Sequence, residues 1–188
     1  MLAKMMDRPL LISSLIAHAG KWHSDQEIVT KTNRAKQLAK ALINLGIKEG
    51  DRIGTLAWNT YRHLEAYYGI SGIGAITHTI NPRLFPDQLE YVVNHADDQF
   101  LVIDTTFIAL VEGLLPKVPD VKGVIVLTDK EHMPDVSGLR NPICYEDLIA
   151  SEDHDFHWPT FDDNSAAALC YTSGTTGAPK GVMLNQAG

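Results

Sequence analysis

The residues best suited to chemistry lie near position 175. An apolar run, Ala166-Ala167-Ala168-Leu169-Cys170-Tyr171, leads into Thr172-Ser173-Gly174-Thr175-Thr176-Gly177-Ala178-Pro179-Lys180-Gly181, and a second apolar run, Val182-Met183-Leu184, leads away. Glycine lets a backbone approach an anion closely and adopt positive φ. Successive backbone N–H groups in such a turn form an anion-binding nest. The hydroxyls of Thr172, Ser173, Thr175 and Thr176 add donors and can also ligand Mg²⁺. Lys180 supplies a compact positive charge, and Pro179 fixes the backbone just before it. Together these are the parts of a polyphosphate cradle, expected to use Thr172, Ser173, Gly174, Thr175, Thr176, Gly177 and Lys180. A surface loop rich in Gly and Thr is the plain alternative. Strand, hydroxyl cluster, glycines, proline and lysine in fixed order favour the cradle.

The run is not a Walker A loop. That motif has glycine directly before its lysine and Ser or Thr directly after it, whereas Pro179 precedes Lys180 and Gly181 follows it. The segment from Gly181 to Leu184 reads as a strand, so the turn gains little from a helix dipole. Hydroxyls, backbone amides and Lys180 are left to bind the anion.

The elements around the turn alternate between two hydrophobic periods. Thr32 is expected to cap a helix with the stripe Ala35, Leu38, Ala39, Leu42 and Leu45, stopped by Gly46. A buried strand follows over Arg52–Trp58, then a helix capped by Asn59 or Thr60. Ala75–Ile80 reads as a strand, and Pro86 suits the first turn of the next helix. Phe100–Ile103 is a strand, Phe107–Leu115 a helix, and Gly123–Leu127 a continuous apolar strand. Residues 128–142 read as an exposed connection, followed by a short helix over Tyr145–Ala150. Such strands with helices between them predict an α/β domain: a mostly parallel, twisted sheet with helices on both faces.

Composition narrows the function. The 188 residues, 45% apolar and 21% charged, suit one globular domain or part of a larger one. Sixteen Lys and Arg against 23 Asp and Glu give −7, which argues against nucleic-acid binding. Cys144 and Cys170 are too few for a disulfide scaffold or a four-cysteine zinc site. The segment Met1–Pro9 carries charges and a proline where a signal peptide needs an apolar run. No stretch reaches the about 18 apolar residues of a membrane span, so a cytoplasmic setting without an integral membrane segment is expected. His63, His78 and His95 are read as caps or fillers of helix–sheet contacts, and His154 and His157 as part of a solvated linker. Trp58, Tyr67 and Tyr68 are assigned to core packing.

Tyr171 to Val182 resembles the phosphate-binding signature of the AMP-forming acyl-CoA synthetases, a superfamily that includes luciferases and amino-acid adenylation domains. Leu56-Ala57-Trp58-Asn59-Thr60-Tyr61-Arg62-His63-Leu64-Glu65 and His78-Thr79-Ile80-Asn81-Pro82-Arg83-Leu84-Phe85 resemble its fatty-acyl-CoA ligase branch, in medium- and long-chain members, and Val93-Asn94-His95-Ala96-Asp97-Asp98 fits the same pattern. The resemblance implies the N-terminal part of the large domain of an adenylate-forming enzyme. It implies ATP, Mg²⁺ and coenzyme A, with a fatty acid as the other small-molecule substrate, and a homodimer. A carboxylate attacks the α-phosphate of ATP to release pyrophosphate, and the coenzyme A thiol then displaces AMP. Thr172 through Lys180 correspond to the residues that hold the β- and γ-phosphates, with Thr172 the first choice as Mg²⁺ contact.

The chain departs from the family pattern in three places, one being that Asn185-Gln186-Ala187-Gly188 follow Leu184 where the family often has Ser or Thr and then His. Residues 1–188 correspond to a partial AMP-binding domain, with the adenine, ribose and acyl sites, a metal-binding glutamate and a catalytic lysine of the C-terminal domain expected beyond Gly188. The chain alone is therefore expected not to turn over. Glu27-Ile28-Val29-Thr30-Lys31 runs straight into the Thr32 helix, where the resemblance implies a strand pair and a Thr-Tyr-x-Glu-Leu-like stretch, so either a deletion or, the favoured reading, a missing loop is expected between residues 31 and 32. Adenylation of an aryl acid or amino acid, and a non-catalytic nucleotide-binding or dimerising piece, are the competing functions.

Overall fold

The computed structural model describes residues 9–22, 28–172 and 178–187, with the side chains of 28–31 outside the description. Helix α1 (Ile12–Trp22) precedes α2 (Ile28–Asn44), which Gly46 terminates at φ +89°. Then come β1 (Arg52–Leu56), α3 (Tyr61–Ser71), β2 (Ile76–Thr79), α4 (Pro86–Ala96) and β3 (Asp98–Ile103). A 3-10 turn opens α5 (Ile108–Leu114). The chain continues through β4 (Gly123–Val126), β5 (Pro142–Cys144), α6 (Tyr145–Ala150), β6 (Ala166–Thr172) and β7 (Lys180–Asn185).

The seven strands form one sheet in the order β5-β4-β3-β1-β2-β6-β7. Every pairing is parallel except β6 with β7. Side chains alternate across the sheet, so Leu56, Leu101, Ile103, Val124 and Val126 meet α4 and α5 on one face. Ile53, Phe100, Val102 and Ile125 meet α2, α3 and α6 on the other. Both faces are covered at the centre, which is why β3 and β4 carry the apolar runs Phe100–Ile103 and Val124–Val126. Gly54 in β1 is required by this packing: a Cβ there would lie 2.7 Å from Leu101 Cδ2 and 2.8 Å from Ile80 Cδ1.

The expected α/β class, parallel sheet and two helical layers are all present. Several local expectations need correction. Thr32 does not cap α2 but lies inside it, buried, with Oγ1 3.5 Å from the Ile16 carbonyl. Trp58 is half exposed, beyond the end of β1, where it stacks on Phe107 and donates from Nε1 to Thr106 Oγ1 at 2.9 Å. Helix α1 and strand β5 were not expected. Helix α1 has a short apolar stripe with only Ser13 and Ile16 buried, and β5 is three residues at the sheet edge.

One topological feature sets the position of the site. Strand β1 is followed by α3 on one face, whereas its neighbour β2 is followed by α4 on the other. The two connections leave in opposite directions, so a crevice opens at the carboxyl ends of β1 and β2. This is where ligands bind in open α/β sheets.

Candidate active site

The hydroxyl-rich segment joins β6 to β7 along the chain. Strand β6 runs parallel to β2, so its carboxyl end reaches the same edge of the sheet as the β1–β2 crevice. Thr172 and Lys180 are directly opposed, the last register pair before the turn. Opposed residues point to the same face. Both therefore share a face with Cys170, two residues back along β6, whose Sγ lies 3.0 Å from Thr79 Oγ1. Thr172 and Lys180 are both exposed, and Pro179 between them in sequence is buried. The expected phosphate ligands Ser173, Gly174, Thr175, Thr176 and Gly177 lie outside the described residues.

On that same face is a cleft of about 550 Å³, lined by Asn59, Thr60, Tyr61, His63, Leu64, Tyr67 and Thr79. Most of these come from the start of α3, which Thr60 caps by accepting from the His63 backbone N–H at 3.5 Å. The helix N-terminus brings its positive end to the cleft. Burial is the main effect that pushes the His63 imidazole pKa down, so the ring is neutral near pH 7. Its Nε2 is 3.3 Å from Thr55 Oγ1. Burial likewise raises the Tyr67 phenol, which therefore enters the cleft protonated.

Helix α3 is held in place by a charged cluster on its outer side. Glu65, fully buried, accepts from Arg34 Nε at 2.8 Å and from the Tyr145 hydroxyl at 2.9 Å. Arg34 also makes a two-pronged contact with Glu146, both arms at 2.9 Å, and Arg62 reaches Glu146 at 2.7 Å. A forked guanidinium fixes geometry as well as charge, so α2, α3 and α6 are locked together behind the cleft. Burial pushes the Glu146 carboxyl up, but the Arg34 and Arg62 hydrogen bonds outweigh it and hold the group below its ordinary value.

The cleft was not read from the sequence. Tyr67, assigned there to the core, is a half-buried cleft wall. Asn59, Thr60 and Thr79 lie in the two segments that resemble the fatty-acyl-CoA ligase branch, but residue type alone gives Asn59 and Thr60 a capping role and Thr79 a place in a strand. The signal was present: a capped helix directly after the first parallel strand places its N-terminus at the carboxyl edge of the sheet. His78 lies fully buried in β2, as expected of a helix–sheet contact, with Nδ1 2.7 Å from Asp98 Oδ2. Among the described residues no group of three or more His, Cys, Asp or Glu can hold a metal ion.

Residues 3–188 match the family model described as AMP-binding enzyme. The chain belongs to the AMP-binding enzyme family. Its relatives include the 3-methylmercaptopropionyl-CoA ligase of Ruegeria lacuscaerulensis, 48% identical over 201 residues, an alignment covering 98% of this chain and 37% of that protein. The medium-chain-fatty-acid–CoA ligase of Ectopseudomonas oleovorans is 42% identical, with 98% and 36% covered. The crystal structure of an anthranilate CoA ligase in complex with anthranoyl-AMP superposes with a TM-score of 0.83 at 24% identity, covering 96% of this chain and 36% of that one. The chain thus spans little more than a third of the length of these relatives. The first alignment has more positions than this chain has residues, so that relative carries residues within the matched span that this chain lacks.

Proposed function

We propose that the protein carrying this chain joins a carboxylic acid to coenzyme A using ATP. A carboxylate oxygen forms a bond to the α-phosphorus, and pyrophosphate leaves. The thiol sulfur then bonds to the acyl carbon, and AMP leaves with the electron pair of the broken C–O bond. The observation that carries the reading is the hairpin: a member of the AMP-binding family presents Thr172 and Lys180 side by side, on the cleft face, at the carboxyl edge of the sheet. The first step brings two anions together. Lys180 and the turn amides offset that repulsion and hold the leaving pyrophosphate. Thr172, a single exposed hydroxyl, is too little to hold Mg²⁺ alone. It fits an ion that arrives on the nucleotide, since Mg²⁺ keeps its waters and binds mainly through phosphates.

For the acid, a short- to medium-length aliphatic chain is favoured. Relatives named for 3-methylmercaptopropionate are 48% and 45% identical and one named for medium-chain fatty acids 42%, against 33% for one named for long-chain acids. The full-length protein is expected to release AMP and pyrophosphate with 3-(methylthio)propionate and octanoate, and more slowly with palmitate. The 188-residue chain alone is expected not to turn over. In calorimetry with Mg·ATP, Lys180→Ala should bind about tenfold more weakly or worse, the worth of a charge-assisted hydrogen bond; equal affinities would remove the hairpin from the site. The same proposal places the protein in the cytoplasm as a homodimer, and sedimentation of the full-length protein as a monomer would remove the second part.

A further inference from the structure

The face of the hairpin turned away from the cleft carries an arrangement that the proposed reaction does not use. Tyr171 immediately precedes Thr172, so its side chain points to the opposite face. Its hydroxyl is 2.6 Å from His95 Nδ1 on α4, and its ring meets the His95 ring edge-on at 5.8 Å. His95 is itself stacked on Tyr91 at 5.2 Å. On its inner side the Tyr171 ring lies 5.1 Å from the ring of His78, which is locked by its bond to the buried Asp98. On the other strand, Tyr171 is the register partner of Gly181. A Cβ at Gly181 would lie 3.3 Å from Tyr171 Cζ and 3.2 Å from Leu169 Cδ1. The glycine therefore leaves the space in which the tyrosine ring crosses β7.

Tyr171 thus touches both stems of the turn: it is the neighbour of Thr172 in β6 and covers Gly181, the neighbour of Lys180 in β7. We infer that Tyr171 is a positioning residue for the phosphate-binding turn, clamping its two stems against α4 through His95 so that Thr172 and Lys180 stay in register. The nucleotide part of this inference rests on the function proposed above; the clamp does not. Burial, aided by the Asp98 charge, raises the Tyr171 phenol to about 12, so the hydroxyl keeps its proton at neutral pH. A clamp on the far face restrains the turn without occupying the space the phosphates need. Ordering two flexible stems before the ligand arrives removes an entropic cost from binding.

The test uses the full-length protein and four forms: wild type, Tyr171→Phe, Tyr171→Leu and Lys180→Ala. Amide hydrogen exchange without nucleotide reads the clamp directly. In Tyr171→Leu the amides of β6 and β7 flanking the turn should exchange at least tenfold faster, with β1, β3 and β4 unchanged. Tyr171→Phe keeps the ring over Gly181 and should recover part of the protection. With Mg·ATP, KM should rise about three- to tenfold in Tyr171→Phe, the share of one hydrogen bond, and further in Tyr171→Leu, while kcat at saturation stays near wild type. If Tyr171→Leu fails to fold, Tyr171→Phe alone decides through the same two measurements. Unchanged exchange at the hairpin would overturn the inference, as would acceleration spread evenly over the sheet. If the hairpin loosens as expected but Lys180→Ala binds Mg·ATP like wild type, the clamp stands and the assignment of the turn to nucleotide falls.

Discussion

The two sides of the sheet are built differently. Strands β1, β3 and β4 are buried on both faces, with Ile53, Leu56, Leu101, Ile103, Val124, Ile125 and Val126 inaccessible to solvent. Strand β7, at the opposite edge, leaves Val182, Met183 and Leu184 exposed by 46%, 60% and 47%. The first region is held by apolar burial, which has no direction and tolerates no added volume. The second is held by its backbone ladder to β6 and by a few directed side-chain contacts. Gln186 accepts from the Ile12 N–H at 3.2 Å and donates to the Ser71 carbonyl at 3.1 Å, and Tyr171 is tied to His95. The hairpin proposed to hold the nucleotide phosphates is thus tied to its surroundings by side-chain bonds that can be removed singly.

The comparison can be broken at several points. The largest effect is expected from Leu101→Ala, which opens a cavity against α4 and α5 and should cost about 2–5 kcal/mol in urea unfolding; a loss near zero would show the centre is not rigid. Next is Gly54→Ala. Its new methyl meets Leu101, Ile80 and Asp98 Oδ2 at 2.7–2.9 Å, so overpacking of about 1–3 kcal/mol is expected in the same assay. Gln186→Ala should cost about 1–2 kcal/mol through lost hydrogen bonds, and exchange should quicken at the start of α1 and in β7 but not in β1. Global acceleration would erase the distinction between the two sides.

Smaller still is a pH effect on the charged cluster behind the cleft. The folded Glu146 carboxyl sits below its ordinary value of 4.5, so its contribution is complete above that pH and fades as pH falls through the lower, folded value. The stability difference between wild type and Glu146→Gln should therefore be constant at neutral pH and shrink in acid. A gap that widens below pH 4.5 would give the cluster the opposite sign. Least of all, Met183→Thr should change stability by less than about 0.5 kcal/mol; a core-sized loss would mean the β7 side chains are packed as tightly as the centre.

How much of this was legible in the sequence follows from how local each signal is. Apolar runs locate β3 and β4, shorter mixed stretches locate β1 and β2, and Thr60, Pro86 and Gly46 mark helix ends through their own side-chain and φ requirements. Helix α1 escaped because few of its residues are buried. Strand β5 escaped because three residues with a leading proline carry no period. Trp58 and Tyr67 look like core residues by type; their place at the mouth of a crevice depends on where α3 leaves the sheet. The proposed cradle rests on residue type, since hydroxyls, glycines and a lysine in that order form a purely local signal.

By itself, then, the sequence determined the α/β class and the helical and extended periods, because each is written in residue types a few positions apart, and it carries the hydroxyl, glycine and lysine pattern on which the proposed anion-binding turn rests. Only the tertiary structure decided that β6 lies beside β2, that Thr172 and Lys180 share the cleft face, and that Tyr171 reaches His95, 76 residues earlier. Those relations join segments far apart in the chain, and they are set by which apolar faces can be buried together rather than by any local preference.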